Sequence, residues 1–230
     1  MHALSGEQSW DLKNTDQPGQ FTFYDAPAGA SEYGKPLDIG DFDRDGCGDI
    51  AVAASSADVT RNGTNRPMAG HVRIIMDVCD IAGTLAMEQD GEQRYTVVTV
   101  YGGYGDDMVG TEVYVGDVNG DTYDDLLIGA QNQDGPNQNR YNAGAAYLVP
   151  GNRNFESVGD IDLRTPPENV ITIYGATARD RLGIWVDGGD FDGDGIGDLL
   201  QNDRLARLGW GNDQPARPLA NRRDQINGAH

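Results

Sequence analysis

Residues 98–130 read VTVYGGYGDDMVGTEVYVGDVNGDTYDDLLIGA. The stretch opens on Val98-Thr99-Val100-Tyr101, an alternating β-branched and aromatic run that predicts a strand, and passes through a glycine-rich turn into a second short run and an acidic segment. A third run, Leu126 to Ala130, is stopped by small and polar residues before it reaches the ~10 residues of a helix. Two other stretches align with it: Phe21 to Ala54, FTFYDAPAGASEYGKPLDIGDFDRDGCGDIAVAA, and Ile171 to Asp203, ITIYGATARDRLGIWVDGGDFDGDGIGDLLQND. The Gly-Asp pairs that anchor the copies end at Asp41, Asp117 and Asp190, 76 and 73 residues apart. In each copy the glycine of a Φ-Gly pair (Tyr33-Gly34, Val109-Gly110, Leu182-Gly183) stands seven residues before that aspartate. With one more run per repeat, at Gly70 to Ile75 and Gly144 to Val149, each copy supplies four short strands. That count predicts an all-β fold of four-stranded antiparallel propeller blades and disfavours a βαβ unit.

The acidic segments share the pattern D-x-[DN]-x-D-x-x-x-D: Asp41, Asp43, Asp45 and Asp49; Asp117, Asn119, Asp121 and Asp125; Asp190, Asp192, Asp194 and Asp198. Carboxylates at positions 1, 3, 5 and 9 of a tight loop converge, and their mutual repulsion needs a hard cation to offset it. An all-oxygen donor set without His or Cys selects calcium over zinc. The backbone carbonyls at position 7, of Cys47, Tyr123 and Ile196, are expected to complete the shell. A helix-loop-helix calcium hand would end in a bidentate Glu at position 12, where this chain has Val52, Ile128 and Gln201. Three such loops in register with a strand repeat argue against plain solvated acidic turns.

The Φ-G…GDxDxDGxxDxxxxA pattern resembles the FG-GAP repeat of integrin α-subunit β-propellers and of their bacterial secreted relatives. The resemblance covers about residues 21–200, with residues 1–20 as a lead-in and 201–230 as an irregular tail containing Arg and Pro. It implies about three blades of an incomplete or larger propeller, each holding a structural Ca²⁺ in the hairpin between its first and second strands. It also implies a secreted or cell-surface module for adhesion or for recognition of a protein or glycan; the alternative is the propeller part of a secreted carbohydrate- or lipid-active enzyme. Two departures stand out: Thr122 replaces the loop glycine in the second copy, and Gln201-Asn202-Asp203 replaces the expected Gly-Ala in the third.

Composition narrows the partners. A net charge of −20 in 230 residues repels phosphate backbones and anionic headgroups, so nucleic acid and membrane insertion are not expected. No run approaches the ~18 apolar residues of a membrane span, and the first residues show no secretion signal, which the resemblance leads one to expect upstream. Cys47 and Cys79 lack a CxxC spacing and read as two incidental thiols. His71 falls in a predicted strand and no catalytic set assembles around it, so no enzyme activity is expected. Tyr114, Tyr147 and Trp185 fall at strand positions and read as packing between blades. Because strand direction alternates within a blade, the connections 55–69, 102–108, 131–143 and 175–181 are expected to share the end opposite calcium and to present the ligand-binding face.

Overall fold

The computed structural model describes residues 21–24, 36–80, 83–86, 95–189, 198–201 and 204–207. Its strands are β1 (Phe21–Tyr24), β2 (Leu37–Gly40), β3 (Asp49–Ala54), β4 (Val59–Arg61), β5 (Thr64–Arg66), β6 (His71–Ile75), β7 (Gly83–Ala86), β8 (Val97–Tyr101), β9 (Val109–Gly116), β10 (Asp125–Ala130), β11 (Ala145–Val149), β12 (Ile161–Asp162), β13 (Ile171–Tyr174), β14 (Val186–Gly189), β15 (Asp198–Gln201) and β16 (Arg204–Arg207). Three short 3₁₀ turns are the other regular elements among the described residues. The protein is all-β, and its main sheets are antiparallel.

Two sheets have the strand order of a blade. One is β2-β3-β6-β8, the next β9-β10-β11-β13, each a meander in which neighbours pair antiparallel. A third sheet, β14-β15-β16, begins the same pattern. The runs Val98 to Tyr101 and Ile171 to Tyr174, which open the sequence copies, are therefore the outer strands of the preceding blades. β1 pairs in parallel with β7 in a separate two-stranded sheet. β16 extends the third sheet into the 201–230 stretch expected to be irregular; its Arg-Leu-Ala-Arg run is too short to announce itself by alternation.

The second strands β3 and β10 are buried at every position, because a neighbouring layer covers each face. In β10, Leu126 and Ile128 face the first blade in one large core, whereas Leu127 faces Val186 and Leu148 in a second core toward the third sheet. Gly110 and Gly183 of the Φ-Gly pairs sit at these blade boundaries, and Gly34 lies outside the described residues. Gly110 has φ +87° and a Cβ there would lie 2.7 Å from the Ala53 Cβ; Gly183 has φ +91° and a Cβ there would lie 2.7 Å from the Ala130 amide nitrogen. Only glycine combines that torsion with so close an approach, which is why the motif recurs in register.

The segment between β11 and β13 is a strap. It leaves the acidic end at Pro150, stacks Phe155 on Phe42 with centroids 4.9 Å apart, and runs to the other end, where β12 adds in parallel to the outer edge of β8. Phe155, Ile161, Leu163 and Val170 bury in the core between the first two blades. Arg66, almost fully buried, closes the far end with two hydrogen bonds to Asp162 (2.7 and 2.8 Å) and one to the Gly102 carbonyl (2.8 Å).

The cysteines correct the sequence expectation: Cys47 and Cys79 form a disulfide. The first acidic loop brings Cys47 against the turn after β6, where the Val78 amide also donates to the Gly48 carbonyl (2.9 Å). A separation of 32 residues gave no local signal for this pairing. Of the aromatic residues expected between blades, Tyr147 is buried in the core and Tyr114 packs beside the second cluster, whereas Trp185 is 70% exposed.

Candidate metal centres

Each of the first two acidic loops joins the first and second strands of its blade, β2 to β3 and β9 to β10, so the hairpin position is as expected. In the first loop Asp41 at position 1 folds the turn around itself: the Asp45 and Gly46 amides donate to its Oδ1 and Oδ2 (3.1 and 3.0 Å). The Asp45 amide also reaches Asp43 Oδ1 (3.2 Å), and the Cys47 amide donates to Asp45 Oδ1 (2.7 Å). Asp49 at position 9 is fully buried and accepts from the Phe42 amide (2.8 Å) and the Asp77 amide (2.9 Å). As a result Asp41, Asp43 and Asp49 each offer an oxygen within 4.8 Å of the others. Burial pushes the Asp49 carboxyl up to about 6 and raises Asp43 as well, with the neighbouring aspartates adding to both.

The second loop repeats this wiring. The Asp121 and Thr122 amides donate to Asp117 Oδ1 and Oδ2 (3.1 and 2.9 Å), the Tyr123 amide to Asp121 Oδ1 (3.0 Å), and the Val118 amide to the buried Asp125 (3.0 Å). Burial raises Asp125 to about 6. The difference lies at position 3, where the Asn119 amide group donates to Asp121 Oδ2 (3.0 Å) and Asp125 Oδ1 (3.3 Å). A neutral amide thus stands where the first loop has the Asp43 carboxylate, and it bridges the carboxylates at positions 5 and 9. Asp190, Asp192, Asp194 and Ile196 of the third loop lie outside the described residues; Asp198 opens β15.

The donor set fits a hard divalent cation: oxygens only, several of them anionic, on a loop whose amides already hold the carboxylates in place. Asp77 strengthens the fit and was missed in the sequence, because it lies 28 residues beyond Asp49 and in no repeat. Its Oδ1 is buried without a hydrogen-bond partner, and burial, with Glu156 and Asp45 beside it, raises the carboxyl to about 6.

At the other end of the strands, the connections expected to share a face do come together. The Asp106 amide donates to the Pro67 carbonyl (2.8 Å), Met108 to Met68 (3.2 Å), Asn132 to Asp107 (3.4 Å) and Arg179 to Tyr141 (2.9 Å). His71 is buried on β6, its ring 6.2 Å from that of Tyr101, and burial lowers its imidazole to about 4. No helix of the described residues is long and apolar enough to cross a membrane.

No curated protein matches the chain. The family model of the FG-GAP repeat matches residues 109–149, the span from the first strand of the second blade through its acidic loop to its third strand. Strand order, Φ-Gly contact and hairpin loop agree with that match, and residues 109–149 are similar to an FG-GAP repeat.

Proposed function

We propose that the protein is a calcium-stabilised propeller module acting outside the cell in adhesion or recognition, with Ca²⁺ held by Asp41, Asp43, Asp45, the Cys47 carbonyl and Asp49; by Asp117, Asn119, Asp121, the Tyr123 carbonyl and Asp125; and by Asp190, Asp192, Asp194, the Ile196 carbonyl and Asp198. The observation that carries this reading is the convergence of Asp41, Asp43 and Asp49 within 4.8 Å on a loop whose wiring recurs in the second blade. Calcium is structural in this reading: it offsets repulsion among carboxylates in the hairpins that join the first and second strands of a blade. An extracellular setting agrees with solvent-facing loops of this kind, which bind at ~10⁻⁴–10⁻³ M in extracellular modules. The connections 55–69, 102–108, 131–143 and 175–181 would present the protein or glycan ligand.

Calorimetric titration of the chelated protein with CaCl₂, paired with melting in calcium and in chelator, tests the reading. Binding near three equivalents and a lower melting temperature in chelator are expected. An unchanged melt with no binding heat would overturn it. A glycan array beside hydrolysis assays on polysaccharides and lipids then separates a binder from an enzyme component.

A further inference from the structure

The two described acidic loops touch. The Asp41 amide donates to Asp124 Oδ2 (2.8 Å) and the Asp124 amide returns a bond to the Asp41 carbonyl (3.3 Å), so position 1 of the first loop is tied to the residue just before position 9 of the second. The Arg44 guanidinium donates to Thr122 Oγ1 across the same seam. The start of the strap bridges both position-9 carboxylates. The Gly151 amide donates to Asp125 Oδ1 (2.9 Å), while the Asn152 amide donates to the carbonyl of Phe42 (3.0 Å), whose own amide holds Asp49 Oδ2 (2.8 Å). Gly151 is the keystone: a Cβ there would collide with the Asp124 carbonyl oxygen and come within 2.8 Å of the Phe42 carbonyl oxygen.

We propose that the first and second loops bind their cations as a coupled pair, with Gly151 and the Asp41–Asp124 bonds as the positioning elements, so that filling either loop raises the affinity of the other. This rests on the calcium reading above. The physical basis is shared order. A cation that fixes Asp41 and Asp49 also fixes Asp124 and Phe42, and through Phe42 the 151–152 backbone that presents an N–H to Asp125; the second loop then has less left to order when its own ion arrives. Electrostatics acts in the opposite sense. A cation in one loop lowers the negative potential at the other and weakens binding there, and added salt reduces that effect, the Debye length being about 8 Å at 0.15 M and shorter above it. Hydrogen-bonded positioning is not screened, so raising salt isolates it.

The test is calcium titration of the full chain with the third loop disabled by Asp190→Ala, with and without Asp117→Ala in the second. Coupling predicts that the first loop binds calcium at least ~5-fold more weakly when the second cannot be filled, within the ~5–150-fold range usual for linked sites. Unchanged first-loop affinity would overturn the coupling while leaving the calcium reading intact; no binding by the Asp190→Ala parent would overturn the calcium reading itself. Adding Gly151→Ala should leave two binding events but make the first loop indifferent to Asp117→Ala, and coupling that survives it would remove the bridge from its role. Should Gly151→Ala fail to fold, the salt series on the parent decides: positive coupling that persists at 0.5 M KCl is expected, and coupling that is negative or vanishes there refutes the proposal.

Discussion

Thr122 is a β-branched residue at φ +80°, where its counterpart in the first loop is Gly46 at φ +91°. The turn keeps its backbone and the side chain bears the cost, on the order of 1–2 kcal/mol for a left-handed non-glycine residue. The bond from Arg44 is exposed and returns only part of that. Thr122→Gly is therefore expected to tighten calcium at the second loop by up to about tenfold, read by titration; weaker binding would show that the Arg44 contact outweighs the torsion. Asp107 tells a different story at the far end. It is 2% exposed, its Oδ2 accepts from the Tyr104 amide (2.9 Å), and it faces Asp134, Arg164 and Arg66. Burial, more than any neighbour, raises its carboxyl from 3.8 to about 7. The folded state then holds this proton more tightly than the unfolded chain, so its contribution is fully present below about pH 4 and is lost as pH rises through 7. Asp107→Asn keeps the acceptor for Tyr104 and removes the ionisation. It should raise stability at pH 8 by a few kcal/mol and change little at pH 4, measured by urea melts at both values.

Among the elements, the hairpins were legible and the strap was not. β3, β10, β6 and β11 announce themselves as apolar runs between turn residues, and the loops by aspartates two residues apart, because local geometry sets both patterns. β12 is two residues long, and what makes it a strand is the free edge of β8, a partner about 60 residues away in sequence that no local pattern encodes. Asp77 and the disulfide escaped for the same reason: each joins the first loop to the turn after β6 through contacts that are close only in the fold. That disulfide has a measurable role. Closing a loop of 32 residues removes about 3–4 kcal/mol of unfolded-state entropy in the chain-entropy account. A Cys47→Ser/Cys79→Ser variant should lose most of that in urea melts. It should also lose more calcium affinity at the first loop than at the second, since the bridge pins only the first; equal losses at both would mean that the bridge acts on the fold at large.

Over the whole molecule, a net charge of −20 makes self-repulsion a term in stability, concentrated where the acidic loops crowd one end. Calcium and plain salt both relieve it, the first by coordination and the second by screening. Raising NaCl from 20 to 500 mM should therefore lift the melting temperature of the chelated protein by more than that of the calcium-loaded one; equal shifts would place the repulsion outside the loops. The strap has one more consequence. Because the second blade lends β12 to the first, and Arg66 of the first grips both Asp162 of the second and the Gly102 carbonyl, the two blades are clasped beside the covalent link between them by non-covalent contacts as well. That link, residues 102–108, has exposed positions at Gly105 and Asp106. A chain opened at that peptide bond would retain its clasp, so fragments made on either side have the means to find each other and reassemble as a split protein.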